Sequence, residues 1–268
     1  MIIFTDTTGQ LGNQLFEFSS FISNSLRRNT SIVNLHFEKY RFYFEGSSSN
    51  RHNIRVTTNI PFLDKVLRKS FESVKEKNVL KGNGNPHDIS KLDSKGKIIF
   101  KRGAWFTNYE DFYYYKEEIK AYFRPVQKHL KNIDTLINSC RSQVSVLIGI
   151  HMRGGDYKEF LNGQFYFEAG TYYSMMKQIA TLFPGQKVGF LVCSNDPIDE
   201  TIFSGLNVFK GTNHFIEDMY SLAECDYILG PPSTYTMWAS FYGNTPLCKL
   251  RDPKNNIDLR DFEIDYGY

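Results

Sequence analysis

The chain has 268 residues and only four cysteines, Cys140, Cys193, Cys225 and Cys248. They lie far apart in apolar contexts with no C-x-x-C spacing, which argues against a zinc site. We read them as reduced, buried thiols of a cytosolic protein. No run reaches the ~18 apolar residues that a bilayer crossing needs, so no transmembrane segment is expected. A basic stretch followed by a long apolar one is missing at the start, so no signal peptide is expected either. The expected location is the cytoplasm, with peripheral attachment at the inner face of a membrane left open. Lys and Arg form no long run, and the net charge is only +3. That argues against nucleic acid as a partner and leaves weak attraction to an anionic membrane surface. No G-x-G-x-x-G follows the first strand, which argues against a dinucleotide oxidoreductase. No D-x-D pattern is placed to hold Mg²⁺. Repeats and low-complexity segments are absent.

What is present is an ordinary globular composition, 41% hydrophobic and 23% charged, enough to bury a sizeable core. Aromatic residues are abundant at 16%. Core packing explains them more simply than sugar or base stacking. The most informative stretch runs from Ile148 to Tyr157. An apolar, β-branched run from Val144 to Ile150 breaks into His151, Arg153, Gly154, Gly155 and Asp156. Such a run reads as a buried strand of a parallel sheet, and polar groups at its carboxyl end sit where open α/β sheets bind ligands. Residues two apart in an extended chain point the same way, so His151 and Arg153 share a side. An Arg there can fork two phosphate oxygens. The same residues also fit a plain turn in which Arg153 pairs with Asp156, and both readings stand.

Strands and helices alternate along the chain, which predicts α/β architecture with mostly parallel sheets. We expect two domains, residues 1–142 and 143–268, the second a regular Rossmann-like series. In the first, a strand over 1–5 leads through a Thr7–Gln14 turn into a helix ending at Arg27 and Arg28. Helices are predicted over 111–123 and from Pro125 to Cys140. Residues 39–59 read as a loop excursion and 60–74 as weakly helical. In the second domain, three strands end in polar clusters: His151 and Arg153; Ser194, Asn195 and Asp196; Ser233 and Thr234 at a helix start. All should open on one crevice. Arg153, Ser233, Thr234 and helix N–H groups suit phosphate. Asp196 suits the amine edge of a purine, and His151 can donate or stack. Each has a simpler reading too: Ser233 as a helix cap, Asp196 as a turn former. Gly9–Gln14 presents backbone N–H groups in the same manner, or is only a tight connection.

Three motifs and a closing segment carry a family resemblance. Gly9-Gln10-Leu11-Gly12-Asn13-Gln14-Leu15-Phe16 is similar to G-x-L-G-N-Q-L/M-F. His151-Met152-Arg153-Gly154-Gly155-Asp156-Tyr157 resembles H-x-R-R-G-D-Y. Phe190 to Asp196 resembles F-x-x-x-S-D-D, and Glu217 to Gly243 follows the pattern that closes the family's chains. The chain thus resembles the bacterial α-1,2-fucosyltransferases, relatives of fucosyltransferases with two facing Rossmann-like domains of GT-B type. Gly154 stands in place of the second Arg, and Asn195 in place of the first Asp of S-D-D.

The resemblance implies an inverting glycosyltransferase. It would move fucose from GDP-fucose to a glycan hydroxyl, the 2-OH of galactose in an O-antigen or surface polysaccharide that is free or lipid-linked. The second domain would hold the donor and the first the acceptor, with no metal and no other cofactor. Arg153 would contact the diphosphate and be the catalytic residue. The donor site would comprise Gly12, Asn13, His151, Arg153, Ser194, Asp196, Ser233 and Thr234. Asp156, Glu159, Asp6 and Glu17 qualify as general base by residue type alone, and Asp156 reads better as a support for Arg153. Trp105, Phe106 and Tyr109 fit either acceptor stacking or packing. Two rivals remain: transfer of a different sugar from a GDP donor, and a catalytically silent nucleotide-sugar or glycan binder.

Overall fold

The computed structural model describes residues 1–4, 9–49, 53–58, 60–69, 79–81, 87–92, 98–102 and 106–267. The chain divides into two units, Met1–Val126 and Gln127–Tyr268. The first runs β1 (Ile2–Phe4), α1 (Leu11–Arg28), β2 (Ile32–Asn34), α2 (Glu45–Ser49), β3 (Ile54–Arg55), α3 (Pro61–Lys69), β4 (Val79–Lys81), β5 (His87–Asp88), β6 (Ile99–Arg102), β7 (Phe106–Thr107), α4 (Tyr109–Tyr114) and α5 (Lys116–Tyr122). Its main sheet is parallel, in the order β3-β2-β1-β6-β4, and β5 pairs with β7 apart from it. All three residues of β1 are apolar and buried, as expected for a parallel strand covered on both faces. The aromatic residues do pack a core. Phe4 meets Phe18 and Phe21 edge-on at 5.7 and 4.8 Å, and Phe18 continues to Phe37 and Phe123. The left-handed Asn29 closes α1, whose last-turn Arg27 and Arg28 reach Asp111 on α4 at 3.2 and 3.4 Å.

The second unit runs α6 (Gln127–Arg141), β8 (Val146–Met152), α7 (Ala169–Thr181), β9 (Val188–Ser194), β10 (Asn207–Lys210), α8 (Phe215–Ala223), β11 (Tyr227–Gly230), α9 (Thr234–Gly243) and β12 (Leu247–Lys249). Its five strands are all parallel in the order β10-β9-β8-β11-β12. The sequence therefore winds outward on one side of β8, then on the other, and the order reverses at β8. That reversal is where doubly wound sheets leave a crevice. Alternate strand residues Ile148, Ile150, Phe190 and Val192 pack with Tyr172, Met176 and Ile179 of α7 in one core. On β8, Gly149 lets α8 come close, since a Cβ there would lie 2.6 Å from the Leu222 side chain.

Several expectations need correction. The division falls at residue 126, not at 142, because α6 packs with the second unit. Its Arg141 binds Asp226 at 2.5 Å and the Glu224 carbonyl at 2.9 Å. Pro125 does not open that helix but forms an isolated bridge with Phe44. The helix predicted over 111–123 is two helices parted at Tyr115, and the 39–59 excursion supplies edge strand β3. The four cysteines are buried and free. Among the described residues, no helix is long and apolar enough to cross a membrane.

Candidate functional site

The carboxyl ends of β8, β9 and β11 converge in the second unit. At the end of β8, His151 is buried and its ring stacks on Tyr235 of α9, with centroids 4.7 Å apart. Burial, with the Arg153 charge beside it, lowers the His151 pKa to about 3, so the imidazole is neutral. Its Nδ1 is buried without a hydrogen-bond partner among the described residues. Arg153 follows just past the strand, its side chain only 13% exposed. One guanidinium nitrogen donates to both carboxylate oxygens of Asp156, at 2.8 and 3.2 Å, and the group lies over the Tyr157 ring at 5.0 Å. The Arg153–Asp156 pairing weighed from the sequence is therefore present. It holds the guanidinium at the sheet edge rather than removing it.

Two contacts tie this loop to its neighbours. The Tyr157 hydroxyl donates to the Pro232 carbonyl at 2.8 Å, in the turn before α9. The Gly154 N–H donates to Asn195 Oδ1 at 2.9 Å, at the end of β9. A Cβ at Gly154 would meet the end of the Asp196 side chain, so a larger residue there would have to turn that carboxylate aside. Ser194 Oγ accepts the Asp196 N–H at 3.1 Å, so this pair forms the turn that its composition suggested. Ser233 caps α9, accepting the Tyr235 N–H at 3.2 Å, and Thr234 opens the helix. Of the predicted donor residues, the structure thus gathers His151, Arg153, Ser194, Asp196, Ser233 and Thr234 along one sheet edge. Gly12 and Asn13 belong to the first unit. They lie within the first turn of α1, which starts at Leu11, rather than in the loop before it.

A cavity of about 400 Å³ adjoins Ser194 and Asp196 and is also lined by Val192, Ile198, Lys210 and Asp218. Asp218 was not singled out in the sequence, where an acid in a first helical turn reads as ordinary dipole complementarity. The structure buries it. Burial raises its pKa to about 6 against hydrogen bonds from Thr212 that pull it down. Thr212 N–H donates to Asp218 Oδ1 at 2.7 Å.

Of the base candidates, Glu17 is buried against Lys101, 2.9 Å away, and so is committed within the first unit. Asp156 is engaged by Arg153. Asp6 and Trp105 lie outside the described residues, and Tyr109 is 45% exposed. One group with metal-ligand chemistry stands out: His129, His214 and Glu217, with ligand atoms within 4.8 Å of one another. A ligating imidazole nitrogen must offer its lone pair. His214 Nδ1 spends its pair on the N–H groups of Ile216 and Glu217, at 3.3 and 3.5 Å, which puts the ring proton on Nε2. Glu217 Oε1 meets His129 Nδ1 at 2.8 Å and Asn132 Nδ2 at 2.7 Å. The group is thus a cap network for α8. It fixes the helical turn that carries Asp218.

A model of glycosyl transferase family 11 matches residues 3–258. The chain belongs to glycosyl transferase family 11. Among curated proteins, none matches it. Solved structures similar to this glycosyltransferase include fucosyltransferase NodZ from Bradyrhizobium, at 16% identity and TM-score 0.64, covering 95% of this chain and 96% of that one. A mutant of Arabidopsis thaliana FUT1 in complex with GDP shares 12% identity at TM-score 0.62, covering 98% of this chain and 73% of that one. POFUT1 in complex with GDP shares 12% identity at TM-score 0.58, covering 91% and 94%. At such identities the likeness is one of fold. It supports the GT-B-like α/β architecture expected for this glycosyltransferase, with its mostly parallel sheets.

Proposed function

We propose that this glycosyltransferase is an inverting fucosyltransferase using GDP-fucose. Its acceptor would be a glycan hydroxyl, taken to be the 2-OH of galactose in a surface polysaccharide such as an O-antigen. The second unit would hold the donor and the first would serve the acceptor. The observation that carries this reading is the convergence of Arg153, Ser233 and His151 at the point where the sheet order reverses, with the Asp218 cavity alongside. Fold relatives described with GDP add support.

In this mechanism the acceptor oxygen attacks the anomeric carbon as the bond to the β-phosphate oxygen breaks. The electron pair leaves on GDP, and the acceptor proton passes to water. Charge grows on the phosphate, and donors already aimed there lower the barrier. Arg153 supplies a fixed positive charge, while Ser233 and the first turn of α9 supply hydroxyl and N–H dipoles. Neutral His151 offers Nδ1 to a sugar or ribose hydroxyl. The base fits the cavity between Val192 and Ile198. Guanine presents N1–H and an amino group side by side, and the Asp218 carboxylate can accept from both. Adenine, with an acceptor at N1, cannot pair that way.

A nucleotide panel tests the assignment. GDP at 100 times its Kd should stabilise the protein by about 2.7 kcal/mol, and ADP and UDP at equal concentration by far less. Release of GDP from GDP-fucose, but not from UDP-sugars, should accompany glycan addition. Turnover of GDP-mannose instead would keep the nucleotide and reassign the sugar. Tight GDP binding without turnover on any glycan would make the protein a silent binder.

The Asp218 pKa adds a pH signature. Its carboxylate form recognises guanine, so affinity should be nearly full above about pH 7, halve near pH 6 and fall roughly tenfold by pH 5. The phosphate of GDP titrates in the same range. The informative quantity is therefore the difference between wild type and Asp218→Asn, whose profile should lack that component. Stability should move the opposite way. A folded pKa above that of a free aspartate means that folding favours the protonated form. That contribution is present at low pH and is lost as pH rises through about 6. Asp218→Asn should therefore gain up to roughly 2–3 kcal/mol at pH 8 while binding GDP less well. If denaturant titration showed the variant less stable at pH 8, burial would not be the cause of the shift.

A further inference from the structure

We propose that Lys158 is a second diphosphate-binding cation, an inference that rests on the donor reading above. Lys158 ends the 3-10 turn Gly155–Lys158 that follows Arg153. Its Nζ lies 3.8 Å from Asp196 Oδ2 and 5.4 Å from the Tyr166 ring centre. Asp196 in turn sits against Gly154, in the space that any side chain at that position would fill. The ammonium is thus one carboxylate away from residue 154, the neighbour of Arg153 in the chain.

The two cations share an arrangement. Arg153 rests on Asp156, and Lys158 rests on Asp196. Each carboxylate stands where a phosphate oxygen can replace it. The Lys158–Asp196 pair is easily exchanged, being long and between side chains 56% and 40% exposed. A lysine suits that part. It is a compact charge on a flexible stem and can follow a phosphate, whereas Arg153 is confined by stacking on Tyr157. The chemistry calls for a second cation. The diphosphate gains negative charge as the sugar leaves, and Asp156 already offsets part of the single guanidinium.

The test compares GDP with guanosine by calorimetry on the full chain. Lys158→Gln should weaken GDP about tenfold, the order expected for one hydrogen bond to a charged group, and leave guanosine unchanged. Lys158→Arg should restore GDP binding to within about threefold of wild type. The slope of log affinity against log salt should flatten in Lys158→Gln, because one fewer charge meets the phosphates. Unchanged GDP affinity in Lys158→Gln would overturn the proposal. So would equal weakening of GDP and guanosine, which would place the effect in the base cavity. Failure of the wild-type protein to bind GDP would sink the donor reading itself, a result that neither Lys158 outcome can mimic. Since the Lys158 side chain is 56% exposed, the variants should keep the wild-type hydrogen-exchange protection.

Discussion

Replacing Arg153 with Ala is expected to lower sugar transfer by about 100-fold or more, the range seen when one pre-aimed charge-stabilising donor is removed. The size follows from placement. The guanidinium lies at the end of central strand β8, mostly withdrawn from solvent, and is held by Asp156 and Tyr157. A group fixed in that way needs no reorganisation when charge develops. Its removal does a second harm by taking this cation from Asp156, next to where the diphosphate is proposed to dock. Arg153→Lys keeps the charge but loses the planar fork, so it should recover only part of the rate. Steady-state kinetics with saturating acceptor decide the matter. The fall should appear mainly in kcat, because the contact strengthens as the leaving group ionises. Circular dichroism and unchanged hydrogen-exchange protection in both units would show that the fold survives. Normal transfer by Arg153→Ala would remove the proposed mechanism.

The end of β8 was legible in the sequence because two signals coincide there. An apolar run with few polar interruptions marks a strand covered on both faces, and its break into His, Arg and Gly marks the ligand end. The same logic located Ser194 and Ser233. Asp218 was illegible for a physical reason. The role proposed for it rests on burial beside a cavity lined from β9, β10 and α8, and nothing in the local pattern distinguishes it from a solvated helix acid. The division between the units was misplaced because α6 is amphipathic whichever sheet it covers. Only its long-range partners, Asp226 and Glu217, decide the matter. Pro125 misled because proline is compatible with both a first helical turn and an isolated bridge. Gly12 and Asn13 were placed in a loop because Gly weakens a helix reading, although a first turn tolerates it.

Lys101→Met is expected to destabilise the first unit by about 3–5 kcal/mol, the cost of removing one member of a buried ion pair. Lys101 is 0% exposed and Glu17 is 2% exposed. The lysine Nζ meets both carboxylate oxygens, at 2.9 and 3.0 Å, and lies 5.6 Å from the Phe4 ring centre. Removing the lysine takes its cation from a carboxylate that is almost fully buried. Removing both charges is different. Glu17→Gln combined with Lys101→Met should recover much of the loss, since a buried pair gains little over neutral groups of similar volume. The pair also has a positional consequence. Glu17 lies one helical turn beyond Asn13 on α1, and Lys101 is in register with Phe4 at the end of the sheet. The ion pair therefore pins the amino-terminal turn of α1, with Gly12 and Asn13, to the strand ends. Because the chain has two units, unfolding should be followed by hydrogen exchange resolved along the sequence, not by a single midpoint. Loss of protection confined to the first unit in Lys101→Met, and its return in the double variant, is the expected result. Equal stability of the single and double variants would show that the charge pair does not anchor this helix.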